Sequence, residues 1–416
     1  MAWLLGLGDS VLPGAALFIV FDATLFFGSL LSLLWIRPRV SWAAAMAAAG
    51  FAFLPQILLY QGIVWKDVLF ADCAVAGFVC LVLAEARWER AYARIIFLFT
   101  AFTLLVLAAL ARQNGVIVLV AGILALGAIA RRVAGLRSAA LYAGAASLAG
   151  FVFFFAATSS LDVRSDQGEG PTTQLKLLRL YDITGAVAAE PALSLDVLRT
   201  TAPNLERLIQ SDGVRLYTPQ RNDTFAGSQA LLGELANTGP DLLAAQWRDL
   251  VVHHPWLYLK VRSTVFGWVF LTPDIALCRP VFVGVEGRAG EMADLGIVPR
   301  RSARDLALER YARAFMGTPI FSHLFYAVLA LAVLILLLRR RAPGDLAMAG
   351  TLITAFVFTA SFFVISLACD YRYLYFLDMA ALTALFYLAL GPAYLFQVSA
   401  MWSGSFWLLR SAERKS

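Results

Sequence analysis

The sequence predicts an all-α, polytopic membrane protein of about nine transmembrane helices with one helical extracytoplasmic domain. Three observations predict it. Of the 416 residues, 60% are hydrophobic and 15% charged, against about 45–50% and about 25% in soluble domains. The apolar runs are continuous and reach the about 17–25 residues that a spanning helix needs, rather than alternating as barrel strands do. Arginine clusters recur in every second short loop, which is the signature of a cytoplasmic face.

In chain order, the expected spans are residues 11–35, 42–59 with Pro55 near the end, 68–84, 95–111, 116–130 and 139–157. A polar region follows to about residue 317. Spans at 318–338, 346–368 and 373–396 come next, and residues 399–409, with Trp402, Phe406 and Trp407, read as an interfacial helix. This divides the chain into an N-terminal bundle (1–158), an extracytoplasmic domain (159–317) and a C-terminal bundle with a tail (318–416). Within the polar region, helical spacing is read at 174–181, at 194–209 and over a long stretch, 241–270, that Pro240 starts and Thr272-Pro273-Asp274 stops. Residues 302–315 read as a charged helix. No strand alternation and no internal repeat is seen.

The basic clusters are Arg37 and Arg39; Arg87, Arg90 and Arg94; Arg131, Arg132 and Arg137; Arg339 to Arg341; and Arg410, Arg414 and Lys415. They orient the long loop outside and the C-terminus in the cytoplasm. The formal charge of +6 is a topology signal of this kind and implies no nucleic-acid partner. Ten N-terminal residues without Lys or Arg are not a signal peptide. The same alternation puts the N-terminus outside, so an upstream helix is expected to be missing from this reading frame. Four cysteines and three histidines show no metal-binding spacing. Cys73 and Cys80 read as small buried residues. A disulfide between Cys278 and Cys369 is one option for the other two.

Three polar clusters lie on the face where positive charge is disfavoured: Lys66 and Asp67; Arg112, Gln113, Asn114 and Gly115; and Asp370, Tyr371, Arg372 and Tyr373. A charge held at mid-bilayer costs about 2.5–3.5 kcal/mol, so such residues need partners even near the interface. They read as the floor of a lipid-phosphate site, against the plainer reading of interfacial anchoring and helix capping.

The motifs Trp65-Lys66-Asp67-Val68-Leu69 and Ala111-Arg112-Gln113-Asn114-Gly115 carry a family resemblance. Leu180-Tyr181-Asp182-Ile183-Thr184-Gly185, Trp247, His254-Pro255-Trp256, Arg262 and Asp370-Tyr371-Arg372-Tyr373-Leu374 extend it. Together they resemble bacterial polytopic glycosyltransferases of the GT-C superfold, of the protein mannosyltransferase and aminoarabinose transferase kind. The resemblance implies a bacterial inner-membrane, cell-envelope enzyme. It would move a sugar from a polyprenyl-phosphate donor to an extracytoplasmic glycan, lipid or protein acceptor. It also implies an acidic catalytic loop between the first two helices, which this sequence lacks, so the chain as given is expected to be inactive or slow.

Within that reading, Arg112 and Arg372 suit phosphate because a planar guanidinium binds its oxygens in pairs, and Lys66 adds a point charge. Asp67 is read as an ion-pair partner, a ligand of a divalent metal through water, or the catalytic base; the cofactor is left open and no direct metal site is assigned. Asp72 is expected to pair with the same cations, and Asp22 to be a buried neutral acid or an interhelical hydrogen-bonding group. Gln113 and Asn114 are sugar-binding candidates, with capping the alternative for Asn114. The rings of Trp65, Tyr371 and Tyr373 either stack on sugar or form an aromatic belt. Tyr181, Asp182 and a His254/Arg262 pair are read as building the outer domain. A glycan ligase of the O-antigen type and a non-catalytic lipid-binding protein or flippase are the alternatives.

Overall fold

The computed structural model describes residues 1–36, 40–162, 170–287, 289–294 and 298–391. The expected interfacial helix at 399–409, the end of the last span, Arg37, Arg39 and the basic tail lie outside the described residues. The main helices are α1 (Ala2–Val11), α2 (Ala16–Leu33), α3 (Trp42–Ala52), α4 (Pro55–Tyr60), α5 (Lys66–Ala86), α6 (Ala91–Ala111) and α7 (Val116–Asp162). They continue with α8 (Gly170–Ala189), α9 (Pro240–His253), α10 (Pro255–Leu271), α11 (Ala303–Arg313), α12 (His323–Arg340), α13 (Asp345–Ile365) and α14 (Tyr375–Ala389). Among the described residues the only β pairing is in isolated bridges. The protein is all-α and multi-pass. Six described helices are long and apolar enough to cross a membrane: Ala16–Ile36, Lys66–Ala86, Ala91–Ala111, Val116–Leu161, His323–Arg340 and Asp345–Ile365.

The chain forms two compact units, one of residues 1–151, 325–356 and 375–416, the other of residues 152–324 and 357–374. In the first, α5 is central and almost wholly buried, packed by α2, α6 and α14. Small residues let these helices approach closely. Leu105 of α6 wedges between Gly77 of α5 and Gly122 of α7, where an added Cβ would fall 2.8 Å and 2.4 Å from its side chain.

Two expected elements differ here. The span read at 42–59 is broken in two, because Pro55 opens a new helix at its first turn instead of lying inside one. The spans read at 116–130 and 139–157 have no loop between them. They fold back on each other at Gly135, whose φ of 85° is a left-handed conformation that glycine adopts without strain. Added Cβ atoms at Gly127 and Gly150 would touch Ala143 and Leu119, at 3.4 Å and 3.3 Å, which makes the segment an antiparallel helical hairpin.

The second unit is held by α8, which packs on α9 and α10. Its core gathers Leu180, Ile183, Leu198, Leu205, Leu243 and Val265, all fully buried. The long helix read at 241–270 is two helices, broken at His254-Pro255, where proline removes a backbone donor and starts α10. Thr272 ends α10 in the left-handed region. Ser302 and Asp305 close a reciprocal capping box at the start of α11. Cys278 and Cys369 form a disulfide across 91 residues, while Cys73 and Cys80 are free. Alkylation of the denatured chain without reductant is therefore expected to label two thiols, at Cys73 and Cys80, and all four only after reduction. Four labelled thiols before reduction would exclude the bridge.

Candidate functional site

In the first unit, local structure brings two of the three sequence clusters together. Trp65 is extended and α5 begins at Lys66, which puts Asp67 in the first turn. Helix α6 ends at Ala111 and Arg112 is extended. An acid at a helix N-terminus and a cation at a helix C-terminus both complement the helix dipoles. In the antiparallel α5–α6 hairpin these two ends coincide, and Arg112 forms an ion pair with Asp67, 45 residues away in sequence. Arg112 keeps 10% of its side-chain exposure and Asp67 only 2%. Gly115 makes the return tight, since a Cβ there would sit 2.7 Å from the Ala108 carbonyl oxygen. Lys66 and Gln113 are exposed beside the pair, and Asn114 is half-buried.

Behind the pair lies a buried polar layer that the sequence reading did not anticipate. Gln61 Nε2 donates to Asp72 Oδ2 at 2.8 Å, and Gln56 bonds to Tyr326. The rings of Tyr60 and Tyr375 meet at 5.0 Å, and Trp65 packs edge-on to Tyr60 at 5.4 Å. Asp72 is thus held by an amide and not by the cations expected for it. Asp22 is buried, and neither carboxyl oxygen has a hydrogen-bond partner among the described residues. Of its two expected readings, the interhelical hydrogen bond is not formed there.

The third cluster belongs to the second unit. Arg372 pairs with Asp370 at 3.0 Å and lies over the Tyr373 ring at 5.9 Å. Tyr373 stacks on Phe362 and keeps partial exposure. Tyr371 is fully buried, stacked on His323 with ring centroids 4.2 Å apart and edge-on to Phe321. The Tyr371 amide donates to the Cys278 carbonyl and the Cys369 amide to that of Gln220, both at 2.9 Å. The disulfide therefore fixes the backbone that carries Arg372.

The outer motifs converge on one buried ion pair. Arg262 Nη1 donates to Asp182 Oδ1 at 2.9 Å, and Arg262 Nε donates to the Phe363 carbonyl at 2.7 Å. The Ser366 carbonyl accepts from both terminal nitrogens, at 3.0 Å and 3.1 Å. Trp247 Nε1 donates to the other Asp182 oxygen at 2.9 Å. Burial pushes the Asp182 carboxyl up from its ordinary value, while Arg262 and Trp247 pull it down. The expected His254/Arg262 pairing is not formed: His254 is exposed at the break between α9 and α10. Arginine seeks the buried carboxylate because an unpaired charge there is far more costly than a lost surface contact.

Among the described residues, no group of three or more His, Cys, Asp or Glu side chains could hold a metal ion. Comparison of the chain with protein-family models, with curated proteins and with solved structures gives no match. The resemblance to GT-C glycosyltransferases accordingly rests on the short motifs alone. The findings support a polytopic, largely α-helical membrane protein with a helical region outside the spans.

Proposed function

We propose that the protein is a membrane glycosyltransferase that takes a sugar from a polyprenyl-phosphate donor to an extracytoplasmic acceptor. The observation that carries this reading is the pairing of Asp67 with Arg112 beside exposed Lys66 at one end of the α5–α6 hairpin. Such a group supplies what a lipid phosphate needs: a guanidinium held in orientation, a second cation, and apolar helices for the chain. Asp67 positions Arg112, and Gln113 and Asn114 are the sugar contacts. Arg372, held by Asp370, is an anion contact of the other unit, with Tyr373 as its stacking ring.

The topology proposed with this function has about nine spans in a bacterial inner membrane. The hairpin at Gly135 counts as two, and the segments from Trp42 and from Tyr375 as one each. The large loop faces outward, which the Cys278–Cys369 disulfide supports because such bonds persist in oxidising compartments. One observation favours the runner-up, a lipid-binding protein without chemistry: Asp67 is buried against Arg112 and not open to an acceptor. The experiment is to supply the purified full chain in liposomes with radiolabelled polyprenyl-phosphate sugar and an outer-membrane glycan extract. Label appearing in the glycan supports transfer. Saturable donor binding with no label transferred supports the runner-up.

A further inference from the structure

The end of the first unit opposite Asp67–Arg112 holds a cavity of about 530 Å³ that the proposed reaction does not use. This lies within the ~300–1,000 Å³ range of small-ligand sites. It opens where α2 and α5 end and α6 begins, next to the hairpin of α7. Its charged lining is Arg87, Arg90 and Arg132 with Glu85 and Glu89. Among the described residues, three arginines against two glutamates leave one net positive charge. Glu85 is already engaged: it accepts from Arg132 at 3.2 Å and from the Ala347 amide at 3.1 Å. Arg132 is anchored further by the carbonyls of Arg341 and Ala342. Arg87 donates from Nη2 to the Trp35 carbonyl at 2.9 Å, but its buried Nη1 has no hydrogen-bond partner among the described residues.

An unsatisfied buried guanidinium N–H carries a desolvation cost that turning the Arg87 side chain onto an anion in the cavity would relieve. The cavity also lies level with the ends of the spanning helices. Trp35, Trp42 and Tyr92 are exposed at this end of the spans, as interfacial aromatics are. Basic pockets between helix ends are where anionic headgroups lodge.

We propose that this cavity binds the headgroup of an anionic phospholipid through its phosphodiester. Arg87 and Arg90 take the phosphate oxygens, while Arg132, held by Glu85, shapes the wall. A phosphodiester with an uncharged alcohol brings one negative charge and balances the lining. A zwitterionic headgroup leaves it unbalanced, so a phosphatidylglycerol-type lipid is preferred to phosphatidylcholine. This site is independent of the donor site and of the reaction proposed above.

The test uses the delipidated full chain, titrated with dioleoyl-phosphatidylglycerol and dioleoyl-phosphatidylcholine and read by native mass spectrometry. A loss of one or two charge-assisted hydrogen bonds predicts a roughly tenfold weaker phosphatidylglycerol affinity for Arg87→Gln and for Arg90→Gln. Arg137→Gln, on the same basic end but outside the cavity, should leave it unchanged. Arg87→Lys keeps the charge and should fall between wild type and Arg87→Gln, which separates lost binding from lost folding. Equal affinity for the two lipids would overturn the proposal, as would an equal loss with Arg137→Gln. Competition by soluble glycerol 3-phosphate as effective as that by the lipid would overturn the lipid assignment.

Discussion

Replacing Arg262 by methionine is expected to destabilise the second unit by about 3–5 kcal/mol, the cost of breaking a buried ion pair by removing one partner. The side chain is fully buried and donates to Asp182 and to the carbonyls of Phe363 and Ser366. Methionine fills similar volume but donates nothing, so two carbonyls and one carboxylate lose their partner at once. Asp182 keeps only the Trp247 indole. Burial already raises its carboxyl, and removing the guanidinium removes the main opposing influence. The variant's native Asp182 therefore binds a proton that the unfolded chain, titrating near about 3.9, has released. It follows that the contribution of Asp182 to the variant's stability is greatest in acid and is lost as pH rises through the raised native value. Thermal unfolding of the purified protein between pH 4 and pH 8 measures this. A melting temperature within a degree or two of wild type across that range would show that the pair does not hold the unit together.

The second large effect is on the proposed transfer reaction. Arg112→Lys keeps the charge but loses the fork, so a charge-assisted hydrogen bond to phosphate, worth about 1.5–3 kcal/mol, disappears. Donor turnover at low concentration should fall roughly 10–100-fold. Asp67→Asn separates two roles. If Asp67 positions Arg112, KM for the donor rises and kcat changes little, because ground-state and transition-state binding suffer alike. If Asp67 is the base, kcat falls about 10²–10⁴-fold at unchanged donor KM. The buried geometry of the carboxylate predicts the first pattern.

Residue patterns made much of this molecule legible. Apolar runs mark the long helices, and the charged residues between them mark helix ends at Lys66–Asp67 and Arg112, where the ion pair expected of Asp67 forms. The departures came where one residue's backbone chemistry overrides a hydropathy window. Pro55 splits one apolar run, Pro255 splits a helical stretch after His254, and Gly135 turns a hairpin without any polar loop. Partners were harder to read than elements. Gln61 falls between two expected spans, yet it reaches Asp72 in the bundle. Asp182 finds Arg262 across 80 residues because both are buried, and burial has no local signature for an isolated polar residue. Tyr371, singled out as a sugar-stacking ring, is packed under His323, whose position in the chain carried no signal for it.

Photo-crosslinking tests the donor site most directly. A polyprenyl-phosphate carrying a photoactivatable group next to the phosphate, added to the full chain in liposomes, should label peptides spanning residues 61–72 and 109–118. Excess unlabelled polyprenyl phosphate should suppress that labelling. Labelling confined to the Arg87–Arg132 end of the first unit, or spread evenly and not suppressed by competitor, would contradict a donor-phosphate site at Asp67–Arg112.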